Sequence, residues 1–189
     1  MNVAKPSPLN LPNAITVLRI LLVPVVLVLL FASADKAGLL RWLSVTAFVV
    51  SIATDGVDGA IARRRGLITD LGKLLDPIAD KALLGSALVA LSVLGEIDWW
   101  ITIAILVREL GITAYRLIVA RKRVLAANRG GKLKTILQAV AIGFYLSPLA
   151  SLWQPVAIAQ ALVLYAALAS TLVSGFAYVI AEVRNRHAN

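Results

Sequence analysis

Six apolar stretches follow one another along this chain, at roughly residues 14–33, 38–63, 77–95, 98–121, 133–152 and 155–182. Each is long enough to cross about 30 Å of bilayer hydrocarbon as a helix. Hydrophobic residues make up 60% of the chain, against roughly half in soluble domains. A water-soluble fold of 189 residues has nowhere to hide that much apolar surface. The expected fold is therefore all-α, a single domain over residues 1–189 built as an integral membrane bundle of six transmembrane helices. Ser7 to Asn13, with Pro8 and Pro12, suit a short N-terminal interfacial segment before the first span. Ala32-Ser33-Ala34 resembles a signal-peptide cleavage site, but the apolar run before it is long for such a segment and carries Arg19 near its start, so it is read as a retained helix.

The net charge of +9 invites a nucleic-acid reading. Its distribution argues against one, because the basic residues fall in clusters between apolar segments. Arg63-Arg64-Arg65 with Lys73, then Arg121-Lys122-Arg123 with Arg129, Lys132 and Lys134, then Arg184 and Arg186 follow the even-numbered segments. The intervening loops hold few charges, and the stretch from Pro148 to Pro155 has none. The positive-inside rule places both termini and the basic loops in the cytoplasm of a multi-pass cell-membrane protein, where they meet anionic headgroups or phosphate substrates. There is no cysteine, which excludes disulfides and thiolate metal sites, and the single histidine, His187, is read as a tail residue.

The chemistry is expected between Ile52 and Lys81. Asp55 and Asp58 are three apart at the end of the second segment, and Asp76 and Asp80 are four apart at the start of the third. Either spacing puts two carboxylates on one helical face. A turn near Arg64 to Leu71 would bring the two helices together antiparallel, so four acids converge at one membrane border. A single aspartate at the bilayer centre costs about 2.5–3.5 kcal/mol, so four unpaired anions at the border would also be costly. Hard divalent cations such as Mg²⁺ or Mn²⁺ take oxygen ligands, and two of them clamp a phosphoryl group and its leaving oxygen. Gly56, Gly59 and Ala62 clear a face for a nucleotide, and Arg63, eight residues after Asp55, lies where it neutralises a diphosphate. The alternative is a solvated loop in which the acids pair with Arg63, Arg64, Arg65, Lys73 and Lys81. It does not explain four acids at two helical spacings beside small residues. Asp70 lies in the expected turn and is read as solvated or as a helix cap.

The spacing Asp55-x2-Asp58-Gly59-x2-Ala62-Arg63-x8-Gly72-x3-Asp76-x3-Asp80 resembles the signature of the CDP-alcohol phosphotransferase family. The resemblance implies a six-helix membrane fold, a homodimer and a site for two divalent ions, Mg²⁺ or Mn²⁺. It implies that Asp55, Asp58, Asp76 and Asp80 hold the metals, with Asp80 as general base. Gly59, Ala62, Arg63 and Gly72, together with Asp58, would bind the CDP-lipid. The acceptor hydroxyl would lose its proton to Asp80 and attack the lipid-side phosphorus of CDP-diacylglycerol, releasing CMP.

A second basic cluster bears on the acceptor. Arg108 and Arg116 are eight apart and share a face of the fourth segment, with Glu109 as a possible partner; Lys132 and Lys134 follow Gly130-Gly131. Cations inside an apolar bundle mark a site, here one for an acceptor phosphate. Asn10-Leu-Pro-Asn13-Ala-Ile-Thr16-Val-Leu-Arg19, Val107-Arg108-Glu109-Leu-Gly-Ile-Thr113 and Arg129-Gly-Gly-Lys132-Leu-Lys134-Thr135 resemble the phosphatidylglycerophosphate-synthesising branch of the family. Ala126 and Asn128 depart from its usual Pro and Ser. This branch implies glycerol 3-phosphate as acceptor. An inositol phosphate acceptor is the alternative within the family. A cation transporter would use the same acids as an ion path, but it predicts carboxylates near the midplane without a neighbouring arginine.

Overall fold

A computed structural model describes residues 10–33, 37–65, 69–119 and 130–187. Among the described residues the fold is all-α, with no strand. Its helices are α1 (Leu11–Ala32), α2 (Leu39–Arg65), α3 (Asp70–Val93), α4 (Trp99–Val119), α5 (Gly130–Leu146), α6 (Leu149–Leu152) and α7 (Gln154–His187). Six of the seven correspond to the six apolar stretches.

Local chemistry moves several boundaries from those expected. α1 begins at Leu11, because the Asn10 side chain accepts a 3.0 Å hydrogen bond from the Asn13 amide and caps the helix. Pro12 sits in the first turn, where its missing N–H costs nothing. The end of the expected interfacial segment is therefore already helix. α3 begins at Asp70 and not near Pro77, because Thr69 accepts the Gly72 amide at 3.0 Å and caps it. Pro77 is thus internal to α3, Asp76 and Asp80 lie inside the helix, and Asp70 is its first residue and not its cap. The fifth stretch ends at Leu146; Ser147 and Pro148 interrupt it before the single turn of α6.

The buried core runs through all six long helices, with Leu30 of α1, Phe48 of α2, Leu91 of α3, Ile101 of α4, Ile142 of α5 and Ala167 of α7 all closed to solvent. Polar contacts reinforce it. Ser44 donates to the Val26 carbonyl at 3.1 Å, and Ser92 and Thr102 share a 2.7 Å hydrogen bond. Arg41 of α2, almost fully buried, pairs with Glu96 and donates to the Tyr145 carbonyl at 2.8 Å. α1 packs extensively against both α2 and α3, and α5 against α7. Among the described residues α2 and α3 touch each other only sparingly.

Large apolar side chains such as Leu21, Val28, Val107, Leu162 and Phe176 face outward. By length and composition, α1 and the Gln154–Ala181 part of α7 are each apolar enough to cross a bilayer. The four other long helices carry more polar and charged residues.

Candidate active site

The buried face of α1 meets both acid-bearing helices. Arg19, 1% exposed, donates from Nη1 to Asp55 Oδ1 of α2 at 2.5 Å, while the Asp55 side chain itself is 49% exposed. One turn earlier, Thr16 Oγ1 donates to Asp76 Oδ1 of α3 at 2.8 Å. Asn13 and Thr69 are joined by contacts of 2.8 and 3.0 Å between their side chains. A Cβ at Gly72 would lie 2.7 Å from Asn13 Oδ1, so only glycine lets α3 come this close to α1. Asp80, one turn beyond Asp76, lies within electrostatic range of Asp55, Arg19, Lys81 and Glu109.

Asp80 opens onto a cavity of about 250 Å³ between α3, α4 and α5. Lys81, Glu109, Lys134, Thr135 and Gln138 complete its polar wall, and Leu84, Leu88 and Ile105 its apolar end. Glu109 is the hub. Its carboxylate meets Lys134 Nζ at 2.5 Å, Arg108 Nη1 at 3.0 Å and Lys81 Nζ at 3.6 Å, and accepts from Gln138 Nε2 at 3.3 Å. Three cations around one carboxylate leave a positive surplus, and Lys134 is only 7% exposed in its side chain. Gln138 also donates to Thr171 of α7 at 2.8 Å. The arrangement sets a carboxylate beside partly shielded ammonium groups in a space closed on its far side by hydrocarbon.

A family model described as CDP-alcohol phosphatidyltransferase matches residues 9–173, which takes in α1 through most of α7. The chain belongs to that family. It is a membrane-associated phosphatidyltransferase of lipid synthesis. The "Probable phosphatidylglycerophosphate synthase" of Mycobacterium tuberculosis (strain ATCC 25618 / H37Rv) is 44% identical over 176 residues, covering 93% of this chain and 83% of that protein. The "CDP-diacylglycerol--glycerol-3-phosphate 3-phosphatidyltransferase" of Bacillus subtilis (strain 168) is 36% identical over 182 residues, covering 89% and 93%. A protein of that name from Rickettsia typhi (strain ATCC VR-144 / Wilmington) is 34% identical over 173 residues, covering 89% and 94%.

In this phosphatidyltransferase, the structure places Asp55 and Asp76 against the N-terminal half of α1, with Asp80 one turn beyond Asp76. The side chains of Asp58, Gly59, Ala62 and Arg63 on α2, Arg116 on α4 and Lys132 on α5 lie outside the described residues. Among the described residues no three acids close to a metal-binding group. Two of the acids present are instead held by α1, through a guanidinium and a hydroxyl. Their all-oxygen donor chemistry suits a hard divalent ion. Gly72 has a packing role at the α1–α3 contact. Lys134 lines the cavity beside Asp80, paired with Glu109. Arg108 is directed elsewhere: besides Glu109 it donates from Nη2 to Ser174 of α7 at 2.7 Å, and its stem would lie 3.1 Å from a Cβ at Gly175.

Spacing alone did not single out Thr16, Asn13 or Gln138, nor the hub position of Glu109. For the first two a signal exists, since Asn13, Thr16 and Arg19 recur every third residue in a helix otherwise almost wholly apolar.

Proposed function

We propose that this chain transfers the phosphatidyl group of CDP-diacylglycerol to glycerol 3-phosphate, releasing CMP and forming phosphatidylglycerophosphate. The observation that supports a phosphate-bearing acceptor is the cavity lined by Asp80, Lys81 and Lys134. A neutral alcohol has no use for two ammonium groups held in partly buried positions; a phosphate monoester does. Among phosphate-bearing acceptors, the names of the M. tuberculosis and B. subtilis relatives favour glycerol 3-phosphate.

In this reading Asp55, Asp58, Asp76 and Asp80 hold two divalent ions, Mg²⁺ or Mn²⁺. When bound, these ions neutralise the diphosphate and stabilise the charge that develops on departing CMP. Arg63 neutralises the diphosphate from the α2 side, and Gly59 and Ala62 leave room for the nucleotide. Lys134 and Lys81 draw the acceptor phosphate into the cavity, which sets its free hydroxyl toward Asp80. Asp80 takes the hydroxyl proton as the oxygen attacks the lipid-side phosphorus. Leu84, Leu88 and Ile105 close the far wall to water, which favours the alcohol over hydrolysis.

The same reading takes α1 to α5 and α7 as six spans in the cytoplasmic membrane, with both termini and the site facing the cytoplasm, and the chain as a homodimer. The clustering of Lys and Arg at one end of the spans supports the orientation.

The test is CMP release by purified protein in detergent with CDP-diacylglycerol and Mn²⁺ or Mg²⁺, comparing glycerol 3-phosphate with inositol phosphate. Release with glycerol 3-phosphate, abolished by chelator, is the expected result. Release with inositol phosphate alone overturns the acceptor and leaves the reaction. Asp58→Asn should lower turnover by about 100-fold or more, since several kcal/mol of charge stabilisation depend on the metals. Asp70→Asn, at the first residue of α3, should stay within about twofold of wild type.

A further inference from the structure

The acid pairs of this site sit on two helices that scarcely touch among the described residues, yet the chemistry requires them at a fixed separation. What joins them is α1. Asn13, Thr16 and Arg19 are spaced by three and lie along one of its faces. All three are at least nine-tenths buried. Asn13 holds the cap of α3, Thr16 holds Asp76, and Arg19 holds Asp55.

We propose that Thr16 and Arg19 are positioning residues of the phosphatidyl-transfer site, and that α1 sets the separation between the carboxylates of α2 and α3. The proposal rests on the reading of these aspartates as ligands for divalent ions. Fixing one oxygen of a carboxylate fixes its rotation about the Cβ–Cγ bond, and so aims the other oxygen. The Thr16 hydroxyl has one proton and two acceptors within reach, the Pro12 carbonyl at 3.1 Å and Asp76 at 2.8 Å. The shorter contact is to the side-chain oxygen of Asp76. Threonine is stiff at χ1, so the oxygen it offers is well placed. Arg19 does the same for Asp55 and adds a positive charge among like-charged carboxylates, which holds the acids together between metal-binding events.

The test compares Thr16→Val, Thr16→Ser and Arg19→Lys with wild type, purified in detergent. Mn²⁺ binding without substrate is read from the loss of the free-ion paramagnetic resonance signal; kcat and both KM values are read from CMP release. Thr16→Val keeps the shape and removes the hydroxyl. It should weaken Mn²⁺ binding by about tenfold or more and lower kcat, while the KM for glycerol 3-phosphate moves less than about twofold. Thr16→Ser should restore both. Arg19→Lys keeps the charge without the planar fork and should fall between.

Wild-type Mn²⁺ affinity and kcat in Thr16→Val, even with a lowered melting temperature, overturn the proposal by leaving Thr16 only a packing role. If Thr16→Val does not fold, wild-type protein decides. Adding Mn²⁺ should slow amide exchange at residues 13–19 as well as around Asp55 and Asp76; unchanged exchange in α1 overturns the proposal. Wild-type protein that binds no Mn²⁺ defeats the metal reading itself, a result distinct from wild-type binding that Thr16→Val leaves unaltered.

Discussion

At Gly72 one added methyl group would lie 2.7 Å from Asn13 Oδ1, and Asn13 is itself held by Thr69. Neither side chain is free to retreat, so Gly72→Ala must push α3 away from α1. The expected cost is about 1–3 kcal/mol, seen as a lower melting temperature in detergent together with loss of turnover, because Asp76 rides on the same helix. Lys134 invites a different measurement. Lys134→Ala leaves Glu109 with Lys81 and Arg108, so the fold should survive. The KM for glycerol 3-phosphate should rise by about tenfold, with the KM for the CDP-lipid nearly unchanged; equal rises in both would remove Lys134 from the acceptor site. That Asp76 and Asp80 stand one turn apart on α3 was legible in the sequence, because a four-residue spacing is local and helix geometry converts it directly into neighbouring positions. Arg19 with Asp55 and Thr16 with Asp76 were not. They are 36 and 60 residues apart, and no periodicity reports which face of one helix meets another.

Helix caps decide where the acids stand along α3. Thr69 takes the Gly72 amide and also bonds Asn13, so one side chain starts a helix and ties it to its neighbour. Thr69→Ala should cost about 1–2 kcal/mol by loss of the cap, while Thr69→Ser should remain close to wild type in a thermal melt. The third apolar stretch starts only at Pro77, whereas α3 starts at Asp70, because its first turns are polar and are set by the cap, not by hydrophobicity. A proline well inside a helix forfeits one backbone hydrogen bond, and here a strong cap and extensive packing on α1 offset that loss. The six long elements themselves were readable, since apolar runs of this length have few other uses. The break at Ser147 and Pro148 was hidden by uniformly apolar flanks.

For the molecule as a whole, Glu109 joins three helices through Lys81 of α3 and Lys134 of α5, while Gln138 carries the link on to α7. Glu109→Gln should therefore act on global stability, lowering the thermal midpoint by an amount equivalent to about 1–3 kcal/mol, and should weaken acceptor binding alongside. The absence of cysteine from the chain makes its orientation easy to test. Single cysteines replacing Trp153 and His187 should react with a membrane-impermeant maleimide from opposite sides of sealed vesicles. Labelling from one side would contradict the six-span arrangement.

The Arg19–Asp55 pair also orders events in time. Arg19 is made 36 residues before the carboxylate it pairs with, and it lies in a helix long and apolar enough to cross a bilayer. Until α2 follows, its guanidinium has only the headgroup layer to reach for, along its own flexible stem. Loss of Asp55 would take this partner from Arg19 for good. In cells an Asp55 substitution should thus shorten the life of the newly made chain as well as silence its chemistry, so the amount of protein in the membrane has to be measured beside its activity.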